Sequence, residues 1–182
     1  MNSRPFHIVF TDLDGTLLDH HDYSHERSMP GLALLRDSGI PLVLVSSKTA
    51  AEMEALRREL DLAGPFVCEN GGGIVFPAEP GKDARIEAMG LSAAELAARA
   101  RLLEHAIGAK ARLLTDMPLD EIAARTGLDR TAAALARERS FTVPFLTADG
   151  STVDLGEANR LLAQAAEGST TWERRASIRG GP

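Results

Sequence analysis

The sequence predicts an α/β fold, a doubly wound parallel sheet joined to a smaller α+β module, and three observations carry that reading. Strand-length apolar runs at residues 7–12, 41–45 and 66–68 alternate with helix-length segments, an order that implies right-handed crossovers between parallel strands. Pro41-Leu42-Val43-Leu44-Val45 is apolar throughout, as strands buried on both faces are. After Gly71-Gly72-Gly73 the chain changes to short strand and helix segments.

Each element has its local cause. The first strand ends at Asp12, and a loop of His and Asp residues runs to about Ser28. Pro30 suits a helix start and Gly39 a helix end, with Leu32, Leu34 and Leu35 as the apolar positions. Thr49-Ala50-Ala51-Glu52 is a capping box, after which Met53, Leu56 and Leu60 recur at helical spacing. Residues 74–77 and 84–88 read as short strands about a Pro80-Gly81 turn. Ser92 and Glu95 open a helix whose buried stripe is Leu96, Ala100 and Leu103. Two further helices are expected over Pro118 to Thr126 and Asp129 to Arg139, parted by Gly127. Thr142 to Leu146 reads as a strand that Pro144 confines to an edge or bulge. Leu161 and Leu162 fall in another helix, and Thr170 to Ile178 is read as extended.

Composition sets outer bounds. A chain of 182 residues, 44% apolar and 25% charged, can bury one good core carrying a small second module. A net charge of −6 argues against nucleic acid or an anionic membrane as partner. It leaves an anionic small molecule open, because local cations override the global sign. Cys68 is the single cysteine, which excludes an internal disulfide and fits a cytoplasmic location. No run reaches the roughly 18 apolar residues of a membrane span. No signal peptide is read ahead of the first strand, since Asp12 and Asp14 interrupt the short apolar run after Arg4.

The chemistry concentrates at three strand ends. Asp12-Leu13-Asp14-Gly15-Thr16 follows Ile8-Val9-Phe10, and loops beyond the carboxyl ends of parallel strands are where open α/β sheets bind ligands. One aspartate there can attack phosphorus while the other moves the leaving group's proton, with Gly15 permitting the bend that serves both. The bland alternative is an Asx-turn or helix cap at Asp14. Ser46-Ser47-Lys48-Thr49 follows the second strand; the Ser46 hydroxyl beside a helix N-terminus can donate to a phosphate oxygen, and Lys48 adds charge. Taken alone, such a serine is more often a cap, and Thr49 is read as only that. Glu69-Asn70-Gly71-Gly72-Gly73 follows the third strand. Gly71 permits close approach of backbone to ligand, and Glu69 and Asn70 can bond substrate hydroxyls; the plain alternative is a hairpin turn.

The Asp12 to Thr16 string resembles the first motif of the haloacid dehalogenase superfamily. That resemblance implies Asp12 as nucleophile, Asp14 as general acid and base, and a Mg2+ ion held by the Asp12 carboxylate and the Asp14 backbone carbonyl. Ser46 matches the superfamily's second motif, a phosphate contact. With Ser46-Ser47-Lys48-Thr49 and Glu69-Asn70-Gly71-Gly72-Gly73-Ile74 in this order, the chain resembles the mannosyl-3-phosphoglycerate phosphatase branch. Downstream, Thr126-Gly127-Leu128, Ala136 to Arg139 and Val143 to Leu146 resemble that family's cap domain.

The resemblance implies residues 1–76 as the N-terminal part of the core, 77–170 as a cap and 171–182 as a return segment. It also implies a phosphorylated sugar-glycerate substrate, mannosyl-3-phosphoglycerate, hydrolysed to mannosylglycerate. The family's later lysine and acidic loop have no counterpart here: the last lysine is Lys110, and the sequence closes on Arg179-Gly180-Gly181-Pro182. The expectation is therefore a chain truncated at its C-terminal side, poorly active by itself.

Alternatives stay open, namely a broad sugar-phosphate phosphatase, an inert fragment that binds phosphate ligands, and, more remotely, a receiver-type signalling domain. His20 and His21 read as solvated, although their loop can gate the pocket. Trp172 and Phe145 read as cap packing before sugar stacking. Arg137 and Arg139 read as an exposed helix face or a carboxylate clamp. Oligomeric state is not legible.

Overall fold

The computed structural model describes residues 6–78, 80–81, 83–150, 153, 154, 156 and 160. The expected helix at Leu161 and Leu162, the extended run Thr170 to Ile178, the 171–182 segment and Trp172 lie outside the described residues. Two compact units divide the chain, Met1–Met89 and Gly90–Pro182.

The first unit is built on a five-stranded sheet in the order β1-β2-β3-β4-β5. Its strands are β1 (Val9–Thr11), β2 (Leu42–Val45), β3 (Phe66–Cys68), β4 (Gly73–Phe76) and β5 (Arg85–Ala88). β1, β2 and β3 run parallel; β4 and β5 continue the sheet antiparallel. The 77–170 module of the sequence reading includes β5, yet β5 is hydrogen-bonded to β4 and lies within the first unit.

Two crossovers connect the parallel strands. Helix α1 (Met29–Asp37) has Pro30 in its first turn and ends before Gly39, whose φ is +64°. Leu32 is buried, but Leu34 is 67% exposed. Two residues rotate a helix by about 200°, so Leu34 stands opposite the stripe the sequence assigned it to. Helix α2 (Ala50–Glu59) carries the expected capping box: the Thr49 hydroxyl accepts the Glu52 N–H, and the Glu52 carboxylate accepts the Thr49 N–H. Met53 and Leu60 are buried.

Both helices pack on one face of the sheet. Gly31, Leu32 and Leu35 of α1 share a cleft with Val9 and Leu42, while Ala50 and Glu54 of α2 share one with Phe66, Val75 and Ile86. The strand register puts those sheet residues on a common side. Right-handed crossovers taken in one direction along a sheet have this consequence. Phe10 belongs to the other side, at the β1 edge, and is 64% exposed.

The second unit begins with α3 (Ala93–Ala98) and α4 (Ala100–Ile107), two helices where the sequence suggested one, parted at Arg99 (φ −93°, ψ 8°). The Ser92–Glu95 capping box is present. Leu96, Ala100 and Leu103 are half-buried. Helices α5 (Leu119–Thr126) and α6 (Arg130–Arg137) form the expected pair, with Gly127 left-handed at φ +74° and Asp129 capping α6 through the Ala132 N–H. Met117, Ile122 and Ala133 make the small core between them. Strand β6 (Ala111–Leu113), which the sequence reading did not find, pairs antiparallel with β7 (Phe145–Thr147). Ala111-Arg112-Leu113 does alternate, but three residues beside Lys110 are too short a run for that alternation to signal a strand. No helix among the described residues is long and apolar enough to cross a membrane.

The end of α2 is fastened by charge. Glu54 receives both Arg57 and Arg58, and the Arg57 guanidinium also donates to the Leu62 carbonyl. The Arg57 hydrogen bond, aided by Arg58, holds the Glu54 carboxyl below its usual range against the opposing effect of burial. A carboxyl depressed in the folded state stabilises above its unfolded value, and that contribution disappears as the pH falls through the folded value. Glu54→Gln should therefore cost about 0.5–1 kcal/mol at pH 7 and progressively less at acid pH, as the carboxyl is protonated through its folded value. Urea unfolding at neutral and acid pH checks this; an equal loss at both assigns the effect to packing.

Candidate active site

The sheet register sets the site's geometry. Thr11 pairs with Leu44, and Val45 with Val67, so Asp12, Ser46 and Glu69 follow the carboxyl ends of three adjacent strands at one sheet edge. The Ser46 N–H donates to the Val67 carbonyl at 3.0 Å, carrying the ladder past β2.

At the end of β1, burial alternates. Asp12 is exposed, Leu13 is fully buried and Asp14 is half-buried. Leu13 anchors the segment in the core between the exposed Asp12 and the half-buried Asp14. The Asp12 carboxylate accepts the Leu13 N–H at 2.7 Å. Gly15 turns the chain at φ +73°, and its N–H reaches the Leu18 carbonyl at 3.0 Å, while the Leu18 N–H returns to the Leu13 carbonyl at 2.8 Å. Asp14 Oδ1 is buried with no partner of hydrogen-bond geometry. The charge of Lys48 compensates it, with Nζ 3.2 Å away.

The second and third strand ends are bound to each other. Ser46 is buried, and its hydroxyl accepts the Lys48 N–H at 3.2 Å. The Glu69 N–H donates to the Lys48 carbonyl (2.9 Å) and the Asn70 N–H to the Ser46 carbonyl (3.0 Å). Glu69, Asn70 and Gly71 are consecutively left-handed, with φ of +50°, +59° and +89°. Their segment is the tight connection of the β3–β4 hairpin, so the plain reading of the glycines holds in geometry. Asn70 and Gly71 are exposed, whereas the Glu69 side chain is only 1% exposed. Of the residues singled out in sequence, Asp14 and Lys48 form a direct pair, and Ser46, Lys48, Glu69 and Asn70 are joined by backbone. Asp12 shares their edge through the register.

The sequence reading passed over Tyr23. The loop after the motif folds on itself: the Asp19 N–H donates to the Ser24 carbonyl, the Tyr23 N–H to the Asp19 carbonyl and the His21 N–H to the Asp19 carboxylate. That last bond, with Arg27 beside it, holds the Asp19 carboxyl below its usual range. Tyr23 takes a left-handed φ of +57°, and Lys48 Nζ lies 5.5 Å from its ring centroid. The only available sequence signal was a single tyrosine in a loop of His and Asp. His20 and His21 are exposed and meet edge to face. Arg139 is half-buried and bonds the Ala136 carbonyl and the Thr142 hydroxyl, which assigns it to the end of α6.

Among the described residues no three acidic, His or Cys side chains gather as a metal cage. Magnesium does not require one. It is held by one or two carboxylates, with water and substrate phosphate completing the octahedron. The exposed Asp12 carboxylate, with the Asp14 backbone carbonyl two residues on, is a donor set of that kind.

At one edge of this mixed sheet the ends of its parallel strands carry two aspartates, a buried serine and a lysine, residue types that phosphoryl-transfer chemistry employs. The chain belongs to the haloacid dehalogenase-like hydrolases, whose family model matches residues 9–105. It is 37% identical over 160 residues to the glucosyl-3-phosphoglycerate/mannosyl-3-phosphoglycerate phosphatase of Persephonella marina, covering 82% of this chain and 59% of that protein. The protein of the same description from Methanococcoides burtonii is 37% identical over 150 residues, covering 76% and 55%. The chain thus spans a little over half the length of these curated relatives. In fold it is similar to a haloacid dehalogenase-like hydrolase from Bacteroides thetaiotaomicron, with TM-score 0.54, 18% identity and coverage of 88% and 63%. A Thermoplasma acidophilum protein gives TM-score 0.51 and 17% identity, with coverage of 89% and 57%.

The Gly15 turn carries a direct expectation. A Cβ there would meet only His20 Nδ1, at an ordinary 3.8 Å, so the cost of Gly15→Ala is conformational. It should destabilise by about 1–2 kcal/mol through the left-handed backbone, measured by denaturant unfolding. A neutral result would show that the turn relaxes to another conformation.

Proposed function

We propose that this chain supplies the nucleophile half of a magnesium-dependent phosphatase acting on mannosyl-3-phosphoglycerate through an aspartyl-phosphate at Asp12. The observation that carries the reading is the paired site at the end of β1: an exposed Asp12 and, beyond the buried Leu13, an Asp14 oxygen balanced by Lys48. The names of the two relatives point to the substrate.

In this reading an Asp12 carboxylate oxygen attacks phosphorus, and the bond from phosphorus to the glycerate oxygen breaks. Asp14 gives that oxygen a proton. Asp14 then takes a proton from water, whose oxygen attacks the phosphorus, and the bond to Asp12 breaks to release inorganic phosphate. Both halves follow the pattern of nucleophilic and general acid–base catalysis. The Ser46 hydroxyl donates to a non-bridging phosphate oxygen, and Lys48 moves from Asp14 to the incoming dianion. Asp12 and Asp14 would hold the Mg2+ ion, which offsets the repulsion between carboxylate and phosphate. Asn70 and the exposed backbone at Gly71 border the edge where the sugar-glycerate portion lies, with Glu69 buried behind them. Residues 90–170, what remains of the expected 77–170 module once β5 is assigned to the first unit, are the proposed cap, and the cytoplasm is the proposed location.

In a version with a complete C-terminal half, Asp12→Asn should lower hydrolysis by about a thousandfold or more and block labelling of the protein by 32P-substrate, as removal of a nucleophile does. Asp14→Asn should slow formation or breakdown of the phosphoprotein. Turnover undiminished in the Asp12 variant would sink the covalent mechanism, and phosphate binding without any turnover would reduce the site to a binding module.

The relatives' names carry both sugars, so the glucosyl ester belongs in the same assay. Remote contacts that strengthen in the transition state raise kcat/KM. Mannosyl-3-phosphoglycerate should exceed glucose 6-phosphate and p-nitrophenyl phosphate by at least about a hundredfold, or about 2.7 kcal/mol. Equal efficiencies would favour a broad sugar-phosphate phosphatase.

A further inference from the structure

We propose that Tyr23 is a positioning residue that holds the Lys48 ammonium in place for a phosphate ligand. The proposal rests on the phosphatase reading for its ligand class, but its geometry stands independently.

Lys48 is asked to work at a fixed point, yet a lysine side chain has four rotatable bonds and much rotamer freedom to lose. Two contacts restrain it. Asp14 Oδ1 lies 3.2 Å from Nζ, and the Tyr23 ring lies 5.5 Å from the same nitrogen, inside the roughly 6 Å over which an aromatic face attracts a cation. The ring is delivered there at a cost. A bulky residue at φ +57° is disfavoured, and an exposed tyrosine gains little burial in return (59% exposed). Two backbone bonds and one from the His21 N–H to the Asp19 carboxylate close the Asp19–Ser24 loop around that conformation. Strain of this kind persists where surrounding structure over-determines it. When a phosphate draws Lys48 away from Asp14, the carboxylate restraint is lost but the ring remains. An aromatic face competes weakly with a phosphate oxygen, so Tyr23 narrows the positions of Nζ without neutralising it.

The test uses the whole chain with inorganic phosphate as probe. Lysines are reductively 13C-methylated, and the Lys48 signal is identified by its loss in Lys48→Arg. In the unsubstituted protein that signal should be shifted upfield by the Tyr23 ring. The shift should survive Tyr23→Phe and vanish in Tyr23→Leu. Calorimetric titration with inorganic phosphate should show Tyr23→Leu binding about two- to fivefold more weakly, the range of an exposed cation–π contact, with Tyr23→Phe unchanged. In a Lys48→Ala background Tyr23→Leu should have no further effect.

A Lys48 signal indifferent to Tyr23 overturns the proposal, as does a Tyr23→Leu effect that persists without Lys48, and both leave the phosphatase reading standing. A ring-shifted Lys48 in a protein that binds no phosphate overturns the ligand and that reading together. Hydrolysis that survives Asp12→Asn while the Tyr23–Lys48 coupling holds removes only the covalent mechanism.

Discussion

The structure depends on the parallel hydrogen-bonded register of β1, β2 and β3. Thr11 beside Leu44, and Val45 beside Val67, bring three strand ends to one level. A one-residue slip in a strand reverses every side chain; here it would lift Leu13 out of the core and push Asp12 toward it. Burial of Leu13, Leu44 and Phe66 opposes such a slip. The core thereby fixes the site, and the polar groups at the edge contribute little to holding the sheet together. Their energetic demands are met locally: Asp12 by the next amide, Asp14 by Lys48, and Ser46 by the strand ladder and the turn beyond it.

What the sequence made legible follows the same division. Elements stated by local chemistry are where that chemistry puts them: α2 behind its Thr49–Glu52 box, α3 behind Ser92–Glu95, and α5 and α6 about Gly127. The apolar run at 42–45 is the central parallel strand. Elements that exist only by pairing were harder. β6 has three residues, one of them charged, and is a strand because β7 lies beside it. β5 was expected as a strand and alternates as Arg85-Ile86-Glu87-Ala88, but it is exposed at every position, so no buried face assigned it to the sheet that owns it. Leu34 was read as core from its type, whereas helical rotation decides its face.

The site was legible as a set of strand-end motifs because ligand groups at sheet edges need specific residues in short strings. Asp12, Asp14, Ser46 and Lys48 come from two such strings, and the ion pair between them is the contact that connects the strings in space. Tyr23 was not legible, since its proximity to Lys48 comes from a loop that closes through backbone bonds. Glu69 shows the reverse case. A side chain read as facing a ligand is buried, and the segment meets Ser46 and Lys48 through its amides.

The left-handed run Glu69-Asn70-Gly71 has a mechanical consequence. Glu69 carries its side chain in a backbone region that costs roughly 1–2 kcal/mol, Asn70 occupies the same region at a lower cost, and their amides are the same groups that grip Lys48 and Ser46. Conformational tension and anchorage therefore sit on identical atoms. Losing one anchor lets the turn unwind toward ordinary backbone angles, which pulls away the other. The hairpin bend behaves as a catch, its tension and its hold on the end of β2 released together.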